Sequence, residues 1–162
     1  MDRGRNKSKK GDGCMIKYVH TNIVAKDWEA LARFYVEVFG CRPLMPERDL
    51  AGKWLDRLTG INGAHIWGVH LALPGYEEGQ GPTLEIFQYN TDTGGTAPAI
   101  DRPGYAHIAF AVDDVQACVE DMIAHGGGLL GDIVETQVGE RTLTVAYAKD
   151  IEGNLVEVQK WE

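Results

Sequence analysis

The sequence predicts an α+β fold built from one unit used twice. Two observations carry this. Tyr18-Val19-His20 opens an apolar strand that runs into an acidic helix start and an amphipathic helix closed by glycine, and Tyr105-Ala106-His107 opens the same series 87 residues later without a gap. His20 then falls on His107, Asp27 on Asp114, Ala30 on Ala117 and Gly40 on Gly127. Each half also closes on a strand with a central glutamate, Leu84-Glu85-Ile86 in the first and Val156-Glu157-Val158 in the second. A unit of strand, helix and about three strands has too few helices for a doubly wound parallel sheet, which leaves α+β.

The elements follow in order. Ile16 to Ala25 is rich in β-branched and aromatic residues and reads as a strand. Asp27 is a helix N-cap, Leu31, Phe34, Tyr35 and Val38 recur at helical spacing, and Gly40 stops the helix. Pro43 and Pro46 interrupt the chain. Residues 47–64 form a charged, glycine-containing segment without counterpart in the second half, in which Trp54, Leu55 and Leu58 suggest a short helical turn. Strands are expected at Ile66 to Leu73 and Thr83 to Tyr89, joined by a Gly- and Pro-rich loop. The second half repeats the plan: a strand from Tyr105 to Val112, a helix capped by Asp113 or Asp114 and stopped at Gly126-Gly127-Gly128, and strands at Ile133 to Val138, Thr142 to Ala148 and Leu155 to Trp161. The expected organisation is a basic leader over 1–14, too polar to fold, and a single domain over 15–162. That domain divides into module one at 15–90, a Thr-, Gly- and Pro-rich linker at 91–103 and module two at 104–162.

Charge narrows the partners. Residues 1–14 carry five basic and two acidic groups, leaving 11 basic and 22 acidic groups of the chain's 16 and 24 for the rest. So acidic a body repels phosphate backbones, and nucleic-acid binding is not expected. The leader reads as a solvated tail, with Met15 a second possible start. No apolar run suits a bilayer and no signal-peptide pattern is visible. Cys14, Cys41 and Cys118 are odd in number and widely spaced, which fits neither a disulfide framework nor a structural zinc site and suggests a reducing cytoplasm.

Chemistry concentrates at the repeat. Strand side chains alternate between faces, so Tyr18, His20 and Asn22 share one face, as do Thr83, Glu85, Phe87 and Tyr89. A carboxylate in the middle of an apolar strand must be paired, protonated or bound to a metal. One His or Glu alone is more often a core or surface residue. His20, Glu85, His107 and Glu157 at matching positions of a repeat favour a metal site with mixed nitrogen and oxygen donors, suited to Zn, Ni, Co, Mn or Fe. His125 lies in a last helical turn, and His65 and His70 flank Trp67 without ligand-like spacing.

The chain resembles the vicinal oxygen chelate superfamily, which includes glyoxalase I, methylmalonyl-CoA epimerase, extradiol dioxygenases and the fosfomycin and bleomycin resistance proteins. The resemblance covers about residues 16–161. Its carriers are His20 to Asp27, Phe34-Tyr35, Phe39-Gly40, Leu84-Glu85-Ile86, Gly104 to Asp114, and Asp150-Ile151-Glu152-Gly153-Asn154 with Leu155-Val156-Glu157. It implies two paired βαβββ modules forming an open, cupped mixed sheet around the site. It also implies one metal ligand from each of four strands, at His20, Glu85, His107 and Glu157, and a homodimer acting on a small molecule.

The complete set resembles that of metal-dependent isomerases and lyases such as lactoylglutathione lyase and the epimerase. Such enzymes move a proton next to a carbonyl through a metal-bound enediolate, with Glu157 or Glu85 as the catalytic carboxylate. Two other readings stand beside this one: a non-catalytic small-molecule binding or antibiotic-resistance protein, whose bleomycin-binding members lack the metal set, and an extradiol-type dioxygenase, whose relatives lack a counterpart of Glu85. The glutathione-binding arginine of glyoxalase I corresponds to Val24, and its asparagine to Tyr89, with Asn90 one further on. The separate catalytic glutamate of the epimerase comes from the region replaced by 47–64, where Glu47 and Asp56 are the acids at hand. That segment is expected to cover the cavity and shape specificity, with Trp54 and Trp67 as lining or core residues.

Overall fold

The computed structural model describes residues 16–77 and 79–162. The expectations for the leader, for Met15 and for Cys14 fall outside the described residues. The first half runs β1 (His20–Val24), α1 (Trp28–Phe39), β2 (Arg42–Ala51), α2 (Lys53–Thr59), β3 (His65–Ala72) and β4 (Thr83–Tyr89). The second runs β5 (His107–Ala111), α3 (Val115–Ala124), β6 (Gly128–Leu129), β7 (Val134–Val138), β8 (Arg141–Lys149) and β9 (Leu155–Trp161). The strands form two mixed sheets, ordered β1-β4-β3-β2 and β5-β9-β8-β6, with β7 also on β8. In both, the first strand lies parallel to the last, and the remaining pairs are antiparallel. The class is α+β, as the repeat predicts.

Both long helices start as the aspartates require. The Asp27 carboxylate accepts from the Ala30 amide and the Asp114 carboxylate from the Ala117 amide, satisfying one orphan donor each. Gly40 closes α1 at φ 69°, a left-handed conformation that costs glycine nothing. α3 differs. It stops at Ala124 with His125 as its C-cap, short of the glycines.

Alternation sorts the strand residues. Leu84 and Ile86 of β4, and Val156 and Val158 of β9, join Leu31, Phe34 and Tyr35 of α1 and Val119 and Met122 of α3 in one buried cluster drawn from both halves. The intervening Glu85 and Glu157 therefore lie on the faces turned away from the helices. Beside this shared core, specific contacts join the halves. Phe39 stacks on Phe110 with ring centroids 4.1 Å apart. The Tyr35 hydroxyl donates to Asp150 at 2.9 Å. The Glu152 carboxylate accepts from the Lys26 and Asp27 amides at 2.8–2.9 Å.

The structure corrects the expectation for residues 42–51. Pro43 and Pro46 do not end the regular structure; they sit in a ten-residue strand, β2. An edge strand tolerates proline, and the pairing of β2 with β3 slips between Leu44 and Arg48, where Pro46 lies. Residues 47–51 thus belong to the sheet, and α2 is the part without a helical counterpart in the second half. Leu55 of α2 packs with Ile66, Phe87 and Tyr89. Since Phe87 and Tyr89 share the face of Glu85, α2 covers one end of that face. Among the described residues no helix is long and apolar enough to cross a membrane.

Candidate functional site

Glu85 is the third residue of β4, with Asn22 of β1 beside it on one side and His70 of β3 on the other in the pairing register. All three side chains therefore project to one face. The carboxylate is held at both oxygens. Oε2 lies 3.2 Å from His20 Nε2 and accepts from Asn22 Nδ2 at 3.3 Å. Oε1 lies 2.8 Å from His70 Nε2. The other ring nitrogen of His70, Nδ1, lies 3.1 Å from the Thr83 hydroxyl. Burial pushes the imidazole of His70 toward its neutral form against the pull of Glu85, and the charges of Arg48 and His20 push the same way.

The second half builds a sparser version. Glu157 at the centre of β9 is flanked by Ala109 of β5 and Tyr147 of β8. His107 Nε2 lies 3.1 Å from Glu157 Oε2 and is the carboxylate's polar partner among the described residues. The Tyr147 ring packs on His107 with centroids 5.1 Å apart.

His20 and His107 both line a cavity of about 640 Å³ between β1 and β5, bordered also by Tyr18, Asn22, Tyr105 and Asn154. Two donors bound 2.0–2.2 Å from one ion at tetrahedral or octahedral angles stand roughly 2.8–3.6 Å apart. The His20–Glu85 and His107–Glu157 separations, 3.2 and 3.1 Å, are of that size. Each pair thus has the bite of a two-point chelate. The four are not gathered round one point: among the described residues no group of three or more His, Cys, Asp or Glu is arranged to hold one ion.

The remaining residues singled out by sequence fall elsewhere. Asp56 is engaged in the loop after α2, accepting from the Gly63 and Ala64 amides at 2.9 and 3.0 Å. Glu47 is exposed on β2. Asn90 bridges the His65 amide and the Gly63 carbonyl at 3.0 Å each. Trp67 stacks on His65 at 4.0 Å, out of phase with His70 on β3, and Trp54 is exposed. Neither tryptophan lines the cavity between β1 and β5. The buried thiol of Cys41 is pushed up to about 12, so it is inert. His70 is the residue that spacing misses. It has no histidine counterpart, because its equivalent opposite Glu157 is Tyr147.

The order of elements, the two sheets and the paired positions of His and Glu can be set against known proteins. Residues 19–147 match the sequence profile of the Glyoxalase/Bleomycin resistance protein/Dioxygenase superfamily. This chain belongs to that superfamily. Within it, a lactoylglutathione lyase of Haemophilus influenzae is 26% identical over 142 residues, covering 88% of this chain and 90% of its own. A probable lactoylglutathione lyase of Vibrio cholerae is 27% identical over 143 residues, covering 88% of each. A glyoxalase family protein from Bacillus cereus superposes with a TM-score of 0.71 at 18% identity, covering 96% of this chain and 99% of that one, a likeness of fold alone. This glyoxalase-superfamily fold therefore holds in the region that carries His20, Glu85 and His107 and, by structure, in the strand that carries Glu157.

Proposed function

We propose that this protein is a metal-dependent glyoxalase-like lyase or isomerase that moves a proton next to a carbonyl of a small molecule. The observation that supports the proposal is the pair of His–Glu contacts at matching positions of the two halves, with both histidines on one cavity. His20 and Glu85 would hold a divalent ion from one side and His107 and Glu157 from the other, with the β1 and β5 edges drawn together or a second copy supplying one pair. The donor set of two imidazoles and two carboxylates suits Zn, Ni, Co, Mn or Fe. Such an ion supplies Lewis acidity at the substrate's oxygens, which makes the neighbouring C–H proton easier to remove.

The protein's own groups would do the rest. Glu157, with one polar partner among the described residues, is the carboxylate able to leave that partner, take the proton from carbon and return it to the adjoining atom. Glu85, held at both oxygens, stays in place. The walls between β1 and β5, open to solvent at Tyr18, Val24 and Tyr105, would seat the substrate. The relatives named lactoylglutathione lyase favour a thiol-adduct substrate. Val24 at the place of a glutathione-binding arginine favours one with a smaller or less anionic thiol part than glutathione.

The test is the full chain purified without chelator, its metal content measured before and after incubation with Ni, Co, Zn and Mn. It is then assayed with methylglyoxal and a series of thiols, in heavy water, for thioester formation and deuterium uptake. Stoichiometric metal with metal-dependent turnover is expected. A protein that binds none of these ions overturns the proposal.

A further inference from the structure

The two halves differ at the register position opposite the glutamate, and the difference assigns a role to His70. On β3, His70 is the direct partner of Glu85. A carboxylate oxygen only accepts, so the nitrogen 2.8 Å from Glu85 Oε1 must carry the hydrogen. In a neutral ring the other nitrogen, Nδ1, is then an acceptor, and the Thr83 hydroxyl 3.1 Å away donates to it. Thr83 lies two residues before Glu85 on β4, on the same face, so one strand supplies both ends of the clamp. The ring is also fixed sideways by Phe87, edge-on at 5.7 Å. His70 is 19% exposed at its side chain, against 40% for His20, so the clamp sits on the sheltered side of the carboxylate.

We infer that His70 is a positioning residue: backed by Thr83, it ties down Oε1 of Glu85 and so leaves Oε2, held toward His20 with Asn22 donating to it, as the oxygen offered for coordination. The inference rests on the proposed metal role of His20 and Glu85. A ligand held in its binding orientation loses less freedom when the ion arrives, and partners of this kind change metal affinity by about 10–100-fold. Among the described residues nothing equivalent holds Glu157, whose register partner Tyr147 packs on His107 instead.

The test has two arms, both on the full chain. In the first, Co(II) alone is titrated calorimetrically and by visible absorption into the parent, His70→Phe and His70→Gln, after their folds are matched by circular dichroism. The phenylalanine fills the space without a donor; the glutamine amide stands about where Nε2 does. His70→Phe should bind about 10–100-fold more weakly. His70→Gln should recover most of that loss, with the parent's Co(II) spectrum. Parent-like affinity in His70→Phe overturns the inference while the metal reading stands. Equal loss in both variants with an altered spectrum also overturns it, since His70 would then be a ligand itself.

The second arm needs no metal. Imidazole ¹⁵N spectra of the metal-free parent should show His70 with hydrogen on Nε2 and a bare Nδ1, and the Nδ1 shift should move in Thr83→Val. Hydrogen on Nδ1 instead overturns the inference. If the parent binds no Co(II), the metal reading fails, and this arm alone decides whether His70 holds Glu85.

Discussion

The two halves carry the same histidine–glutamate pair in different surroundings. In the first, Glu85 is gripped by His20, Asn22 and His70; in the second, Glu157 has His107 as its polar partner among the described residues. The cause is local: Asn22 and His70 in the first sheet stand where Ala109 and Tyr147 stand in the second. The repeat keeps the His–Glu pair and changes its neighbours, which leaves one carboxylate held by three side chains and the other, among the described residues, by one. A carboxylate that is to carry a proton must be able to let go of its partner, and one that is to anchor an ion must not.

The largest effect should therefore separate the two glutamates. Glu157→Gln should cut turnover about 10²–10⁴-fold, the range for loss of a general base, with Co(II) affinity reduced less than in Glu85→Gln. Titration of each variant with Co(II) and a turnover assay check this. If Glu85→Gln keeps its metal and loses turnover while Glu157→Gln stays active, the roles are reversed.

Next in size is a backbone test. Gly68, two residues before His70, has φ 155°, and a Cβ there would meet the Ile86 carbonyl oxygen at 2.1 Å and Phe87 Cα at 2.9 Å. Gly68→Ala should cost about 3 kcal/mol through strain and overpacking. Val145, two residues before Tyr147, is half-buried, and Val145→Ala should cost about 1 kcal/mol. Urea denaturation of both variants measures the difference. Equal losses would mean that the first sheet is no more tightly constrained than the second.

The smallest effect concerns the helix ends. α1 ends on Gly40, which does not titrate. α3 ends on His125, whose ionisation is raised above 6.5 first by the Asp121 carbonyl at Nδ1, then by the charges of Asp121 and Glu37. Because the folded value lies above the unfolded one, its contribution is full below 6.5 and is lost as pH rises through the folded value. The melting temperature of the parent should fall slightly more over that interval than that of His125→Ala. Parallel profiles would remove His125 from the account.

Most of this fold can be read from sequence because alternation and capping act locally. Thr83 to Tyr89 is a strand over its full predicted length, and Asp27, Gly40 and Asp114 cap as expected. β2 escaped because two prolines and a slipped register hide its alternation, and an edge strand needs hydrogen bonds on only one side. The His–Glu pairs were visible because repetition displays them twice. His70 was not, because its partner is set by the β3–β4 hairpin. Any hairpin that pairs Ala72 with Thr83 also pairs His70 with Glu85, and composition alone left the length of the intervening loop open.

β1 and β5, which carry the two histidines, both stand at the ends of their sheets. Among the described residues no ladder of hydrogen bonds runs from one to the other. The halves meet instead through the Phe39–Phe110 stack, the Tyr35–Asp150 hydrogen bond and the Glu152 link to the Lys26 and Asp27 amides just after β1. The arrangement is that of a pair of calipers, with the pivot in the helix layer and the tips at His20 and His107. Trimming Phe39 thus reaches the tips without touching them, and the distance between the two histidines becomes a property that changes in the helix layer can retune.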